Sequence, residues 1–291
     1  MTRQLPRIAF VTALFLASRT ELAVAQVQGG PPQAGPHREV RGQVGASINN
    51  AGLQNTLEVS WTWPTTRSHS PLLSGAHIAT GITNALTPTQ TKLGGWVEYS
   101  PLSILDLRAG VDPSAYFGTF DSLMGFPSYD ESFDPDSRKA RGGAKAGNAT
   151  RAYVSPTLKF KAGPIVGSAG AEVEWWRSSA DGAFFYEPTR DTLLKSSGDR
   201  MMTTTSVLMY QWTSGRGALS VGGIHTSARV FNASDNRIQR LGLIAVKEFG
   251  ATRFHVPRPR ITMVVARYLD DPFKQDEWTA ALAIGFRTGS H

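Results

Sequence analysis

A chain of 291 residues is long enough for one large core or one closed barrel, and its composition removes several classes at the outset. Cysteine is absent, which excludes a disulfide scaffold and a thiolate metal site. The formal charge is +7, but no basic helix, dense Lys/Arg block or nucleic-acid motif accompanies it, so no nucleic-acid partner is expected.

In chain order, the first 25 residues read as a secretory signal. Arg3 and Arg7 form its positive start, IAFVTALFLA at 8–17 its apolar run, and Ala23-Val24-Ala25 the small-x-small site, with cleavage expected after Ala25. Ten apolar residues are too few to span a bilayer comfortably. No uninterrupted run of eighteen occurs elsewhere, which excludes a bundle of membrane helices. The leader carries Arg3, Arg7, Arg19 and Glu21, a net +2, so the remaining chain carries +5. Residues 26–37, with GGPPQAGPH at their end, read as a flexible segment before a single domain at 38–288.

From residue 38 onward the hydrophobic pattern has period two, the signature of half-buried strands. VRGQVGASI sets Val40, Val44 and Ile48 against Arg41 and Gln43. LEVSWTW sets Leu57, Val59, Trp61 and Trp63 against Glu58. ILDLRAGV sets Leu105, Leu107 and Val111 against Asp106 and Arg108, and GSAGAEVEW sets Val173 and Trp175 against Glu172 and Glu174. Twelve strands are predicted, at 38–48, 54–63, 75–85, 91–100, 103–117, 149–163, 164–177, 201–213, 216–230, 237–249, 259–270 and 275–288. Several approach or exceed ten residues, the length of a tilted membrane crossing. Turn-like links follow the fourth, sixth and eighth strands, whereas 118–148 and 178–200 are long and polar and follow odd strands. Trp61, Trp63, Tyr99, Trp175, Tyr210, Trp212 and Trp278 fall near strand ends, where aromatic girdles are expected.

These features resemble bacterial outer-membrane β-barrel proteins: the leader, amphipathic strands over 38–288, and a last strand with Trp278, Leu282, Ile284 and Phe286 on one face. The resemblance implies an all-β fold, a transmembrane up-and-down antiparallel β-barrel of about twelve strands in the outer membrane, with no cofactor. It also implies contact with outer-membrane lipid and lipopolysaccharide, and use of the C-terminal strand by the barrel-assembly machinery. In that family the strand ends the chain at its aromatic residue; here RTGSH follows Phe286. The physical reading agrees, because a closed barrel pairs every backbone group that lipid would leave unpaired.

On the face opposite the apolar one lie Arg41, Lys92, Arg108, Lys159, Lys161 and Arg287, with Glu58, Glu98, Asp106, Glu172 and Glu174. They are expected to line the lumen and to pair across strands, since an unpaired charge in a narrow bore is costly. The expected role is a narrow channel for small solutes, or a structural or surface barrel with a plugged lumen.

No G-x-S-x-G, H-E-x-x-H or Walker loop occurs. His225 and Ser227 share one strand face, and Asn236 follows across a short loop; an imidazole beside a hydroxyl is the minimum for nucleophilic attack on an ester. This stretch is similar to the His-x-Ser site of outer-membrane phospholipases, which implies His225 as base, Ser227 as nucleophile and Asn236 as orienter. That family has Asn-Gly after the serine, whereas Ala228-Arg229 stand here. A lipid hydrolase and a secreted soluble β-protein are therefore the alternatives to a non-enzymatic barrel. Asp130, Glu131, Asp134 and Asp136 offer oxygen ligands for Ca²⁺, but Arg138, Lys139, Arg141 and Lys145 follow closely, and a solvated, self-paired loop is expected.

Overall fold

The computed structural model describes residues 35–49, 52–215, 217–250 and 256–289, without the side chains of 234–236. In chain order the strands are β1 (His37–Ile48), β2 (Gly52–Pro64), β3 (His77–Leu86), β4 (Gln90–Leu102), β5 (Leu105–Phe117) and β6 (Gly125–Phe126). A short helix follows, α1 (Pro135–Arg141), then β7 (Ala146–Ala162), β8 (Ile165–Ser178), β9 (Phe184–Glu187), β10 (Thr192–Lys195) and β11 (Asp199–Ser214). The chain finishes with β12 (Gly217–Val230), β13 (Ala233–Phe249), β14 (Arg260–Asp270) and β15 (Trp278–Gly289).

Twelve of these strands close into an antiparallel barrel in chain order, with β1 sealing against β15 from Glu39↔Gly289 to Ile48↔Ala280. Every predicted strand is present, and no end differs from its predicted position by more than four residues. The remaining strands, β6, β9 and β10, form a separate sheet in order β10-β9-β6. It comes from the two long connections, so these are folded and not merely solvated.

The alternation decides what faces where. Leu57, Leu93, Val97, Val111, Leu158, Leu208, Leu243 and Leu282 are exposed on the outer wall, while their alternating partners are buried inside. Short connections at 103–104 and 163–164 lie at one end, here the turn end, with His37 and Gly289. The long connections 118–145 and 179–198 lie at the other, the loop end.

Buried side chains stand at several levels of the interior. At the turn end Ser220 and Thr262 are buried, at mid-height Val166, Val207, Met209, Ile224, Ile244 and Val246 form an apolar cluster, and at the loop end Trp176 is 2% exposed. Large side chains cover glycines on neighbouring strands to fill this space. A Cβ on Gly81 would sit 2.4 Å from the Trp96 ring, and one on Gly110 would sit 2.6 Å from Tyr153 Oη.

Candidate functional site

The site is the barrel interior with the inward-reaching parts of the connections 118–145 and 179–198, termed the plug for their position alone. Period-two alternation on β1, β2, β4 and β5 brings charges of opposite sign together across strands. Arg108 Nε donates to Glu98 Oε2 at 2.8 Å, and its Nη1 lies 3.5 Å from Glu58 Oε2. The same guanidinium stacks 3.8 Å over the Trp96 ring centroid. Arg41 pairs with Glu39 and lies 3.8 Å from Glu58, while Arg287 reaches Glu39 at 3.0 Å from the seam strand. His77 Nε2 lies 3.3 Å from Glu98. Lys159 Nζ donates to Asp106 Oδ1 at 2.8 Å, and Ser100 Oγ donates to the same oxygen at 2.6 Å.

A second ionic layer sits nearer the loop end. Arg151 of β7 donates through Nε to Asp112 Oδ2 at 3.0 Å and through Nη1 to Glu172 Oε1 at 3.0 Å. From the connection 179–198, Arg190 enters the barrel and is itself buried. Its Nη2 donates to Glu174 Oε1 at 2.5 Å and its Nε to Glu174 Oε2 at 3.2 Å; Glu172 Oε1 lies 3.4 Å away. Glu187 of β9 accepts from Tyr116 of β5, so an acid of the plug is also tied to the wall.

Above this layer an apolar joint welds plug to wall. Phe185, Leu194 and Leu123 from the connections pack with Trp176, Met201 and Val230 from the barrel. Met124, Phe126, Phe133, Tyr186 and Leu193 form a core within the plug itself. Asp191 ties it sideways: it accepts from Tyr186 Oη at 2.6 Å and pairs with Lys274 of the β14–β15 connection. Tyr129 donates to Asp199, and burial followed by that carboxylate raises its phenol above the usual range.

The residues singled out from sequence fall into three groups. Arg41, Glu58, Lys92, Glu98, Asp106, Arg108, Lys159, Glu172 and Glu174 lie on the inner wall, all buried except Arg41 and Arg108, which are half-buried. Lys161 and Arg287 share that face at the turn-end mouth and keep access to water; Lys161 donates to Gln211 at 3.0 Å. His225 and Ser227 project outward, opposite Leu241 and Gln239 of β13, and no hydrogen bond joins them among the described residues. The side chain of Asn236 lies outside the described residues.

The acidic quartet is dispersed. Asp134 caps α1, accepting from Asp136 N at 2.9 Å and Ser137 N at 3.0 Å, and hydrogen bonds from Ser132 and Ser137 hold its carboxyl below the usual range. Glu131 pairs with Arg141 at 2.5 Å. Asp130 and Asp136 join no cluster of three ligating side chains among the described residues. Glu131–Arg141 is a self-pairing of the expected kind, while Leu123 packs on the barrel and Met124, Phe126 and Phe133 are buried in the loop-end core instead of being solvated.

Sequence reasoning missed Arg151, Asp112 and Glu39, although parity placed them beside residues it named. It had no signal for Arg190, Glu187 or Asp191, which stand in a segment without period.

No family model matches the sequence, and no curated protein matches it. Among solved structures the barrel is similar to the β domain of the Bordetella autotransporter BrkA, at 13% identity and TM-score 0.43, covering 87% of this chain and 99% of that one. It is similar to the NanC porin at 10% identity and TM-score 0.44, covering 87% and 100%. The translocator domain of the autotransporter NalP from Neisseria meningitidis follows at 9% and 0.43, covering 94% and 95%. These neighbours are bacterial outer-membrane β-barrels, and this chain is itself a closed barrel of twelve strands.

Proposed function

We propose that this chain is an outer-membrane β-barrel with a plugged lumen, serving a structural or surface role and not an open passage. The outer wall supports the membrane placement. Tyr210 pairs with Ile165 and Arg200 with Trp175, ten residues further along β11. At about 3.3 Å per residue and a tilt of about 40°, that separation is ~25 Å high, the height of a lipid-facing band. Exposed Trp63, Tyr99, Tyr210 and Trp212 lie at its turn-end edge, and Trp175 and Trp278 at its loop-end edge. Outer-membrane lipid and lipopolysaccharide would surround that band, and the assembly machinery would take the chain through β15.

The observation that carries the plugged reading is Arg190 inside the barrel, held by Glu174 and Glu172, on a segment welded to the wall by Phe185 and Leu194. A loop that merely hung over an open mouth would not exchange buried ion pairs with the wall. Planar-bilayer recording tests it. The full-length protein is expected to be silent, and a variant with 181–196 replaced by a short Gly-Ser link is expected to conduct. Steady conductance from the unaltered protein would sink the reading. No observation favours the hydrolase alternative, since the outward His225 and Ser227 make no mutual hydrogen bond.

A further inference from the structure

A basic notch lies on the outer wall near the loop end, beside the point where the connection 179–198 rejoins β11. Arg177 of β8, Arg200 of β11 and Arg229 of β12 all point outward and are exposed. No carboxylate pairs with any of them among the described residues. Register brings them together on successive strands: Arg200 stands opposite Trp175, two residues from Arg177, and Arg229 stands opposite Met202, two residues from Arg200. The guanidinium carbons of Arg200 and Arg229 lie 5.7 Å and 5.5 Å from the centroid of one ring, Phe231. Arg177 and Arg200 line one groove of about 380 Å³ with Thr150, Trp175 and Asn232.

Asp199 also borders that groove, but it is buried and both its oxygens are engaged. Oδ1 accepts from Arg200 N and Asn232 Nδ2, and Oδ2 from Lys195 N and Tyr129. Three guanidiniums against one engaged carboxylate leave the notch positive. Three converging cations repel one another, and an anion between them removes that repulsion. Guanidinium forks match phosphate oxygens in shape as well as charge. The depth selects the source of the phosphate, because Trp175 marks the upper edge of the lipid-facing band and Arg200 is level with it.

We propose that this notch binds the phosphate of a lipid headgroup in the leaflet that surrounds the loop end. The proposal rests on the membrane placement argued above. Its test uses the full-length protein in phosphatidylcholine nanodiscs, probed with lipid A bisphosphate and with the same lipid stripped of both phosphates. Bound lipid is counted by native mass spectrometry. The bisphosphate is expected to be retained and the stripped lipid lost. Arg177→Gln/Arg200→Gln/Arg229→Gln is expected to weaken retention about a hundredfold. Arg267→Gln, an outward arginine already paired with Asp276 at 2.9 Å, is expected to change nothing. Equal retention by the unaltered protein and the triple variant would overturn the proposal. Displacement of the lipid by excess inorganic phosphate would move the site to soluble anions and overturn it too. Cell fractionation separates the two levels: the unaltered protein and the triple variant are both expected in the outer membrane. An unaltered protein missing from that fraction would overturn the membrane placement itself, whatever the lipid count.

Discussion

At the scale of single residues, Arg190 has the largest consequence. Its removal takes the guanidinium fork away from Glu174, leaving Arg151 3.0 Å from Glu172 and 3.6 Å from Glu174, and breaking a buried pair typically costs about 3–5 kcal/mol. Arg190→Ala is therefore expected to destabilise the plug by roughly 3 kcal/mol. Limited proteolysis should then cut within 179–198 well before the barrel unfolds; a variant as resistant as the parent would refute the assignment. Arg190→Lys restores charge but not the fork, so partial recovery is expected. Asp134 makes a different kind of prediction. Its folded carboxyl is held below the unfolded value, so its contribution is complete above the usual carboxylate range and fades as pH falls through it. Amide exchange in α1, taken relative to the intrinsic rate at each pH, should accelerate in acid. Asp134→Ala should accelerate it at neutral pH by the loss of a cap worth about 1 kcal/mol, and Asp134→Asn should not. Identical exchange in all three proteins would contradict this.

At the scale of elements, the strands were legible and the plug was not, for physical reasons that particular residues display. Each barrel strand has one wall exposed and one buried, so Leu57-Glu58-Val59 or Val173-Glu174-Trp175 announces both the strand and its inward charge. Phe184-Phe185-Tyr186-Glu187 announces nothing, because the last three are all buried and the order comes from partners far along the chain, such as Tyr116 and Val230. β6 has two residues and no local signal at all. The same contrast divides the site. Glu172 and Glu174 could be assigned inward by parity, whereas their partner Arg190 needed the folded connection. Burying Phe185 completely makes β9 sensitive: Phe185→Ala is expected to cost about 3–5 kcal/mol locally. Tryptophan emission from Trp176 should shift red as water reaches it, and an unmoved spectrum would count against the joint. Gly81→Val tests the wall instead. Its Cβ would meet Trp96 and the Val59 carbonyl at 2.8 Å, so yield of heat-resistant barrel should fall sharply.

For the molecule as a whole, orientation is the first question. On the proposed outer-membrane placement, the turns 103–104 and 163–164 at one end and the long connections 118–145 and 179–198 at the other predict that the plug faces outward from the cell. Epitope tags at the exposed Gly143 and Gly182 are expected to be labelled on intact cells; labelling that required permeabilised cells would invert the topology. The β1–β15 seam has a further consequence. Glu39 pairs with Gly289, so the two ends of the barrel wall are antiparallel neighbours at the turn end, hydrogen-bonded like any other adjacent strands. Nothing in the closed sheet distinguishes that junction from the hairpin at 163–164. The ring is therefore cyclic in its bonding and linear only in its covalent order. A circular permutant that joins 289 to 37 through a short linker and opens at the exposed turn 231–232 would keep every ladder of the barrel. It would carry its new ends at the plug side, and its last strand would be β12. Such a permutant should refold in detergent to the heat-resistant form, while its insertion in cells would report how far assembly depends on β15 arriving last.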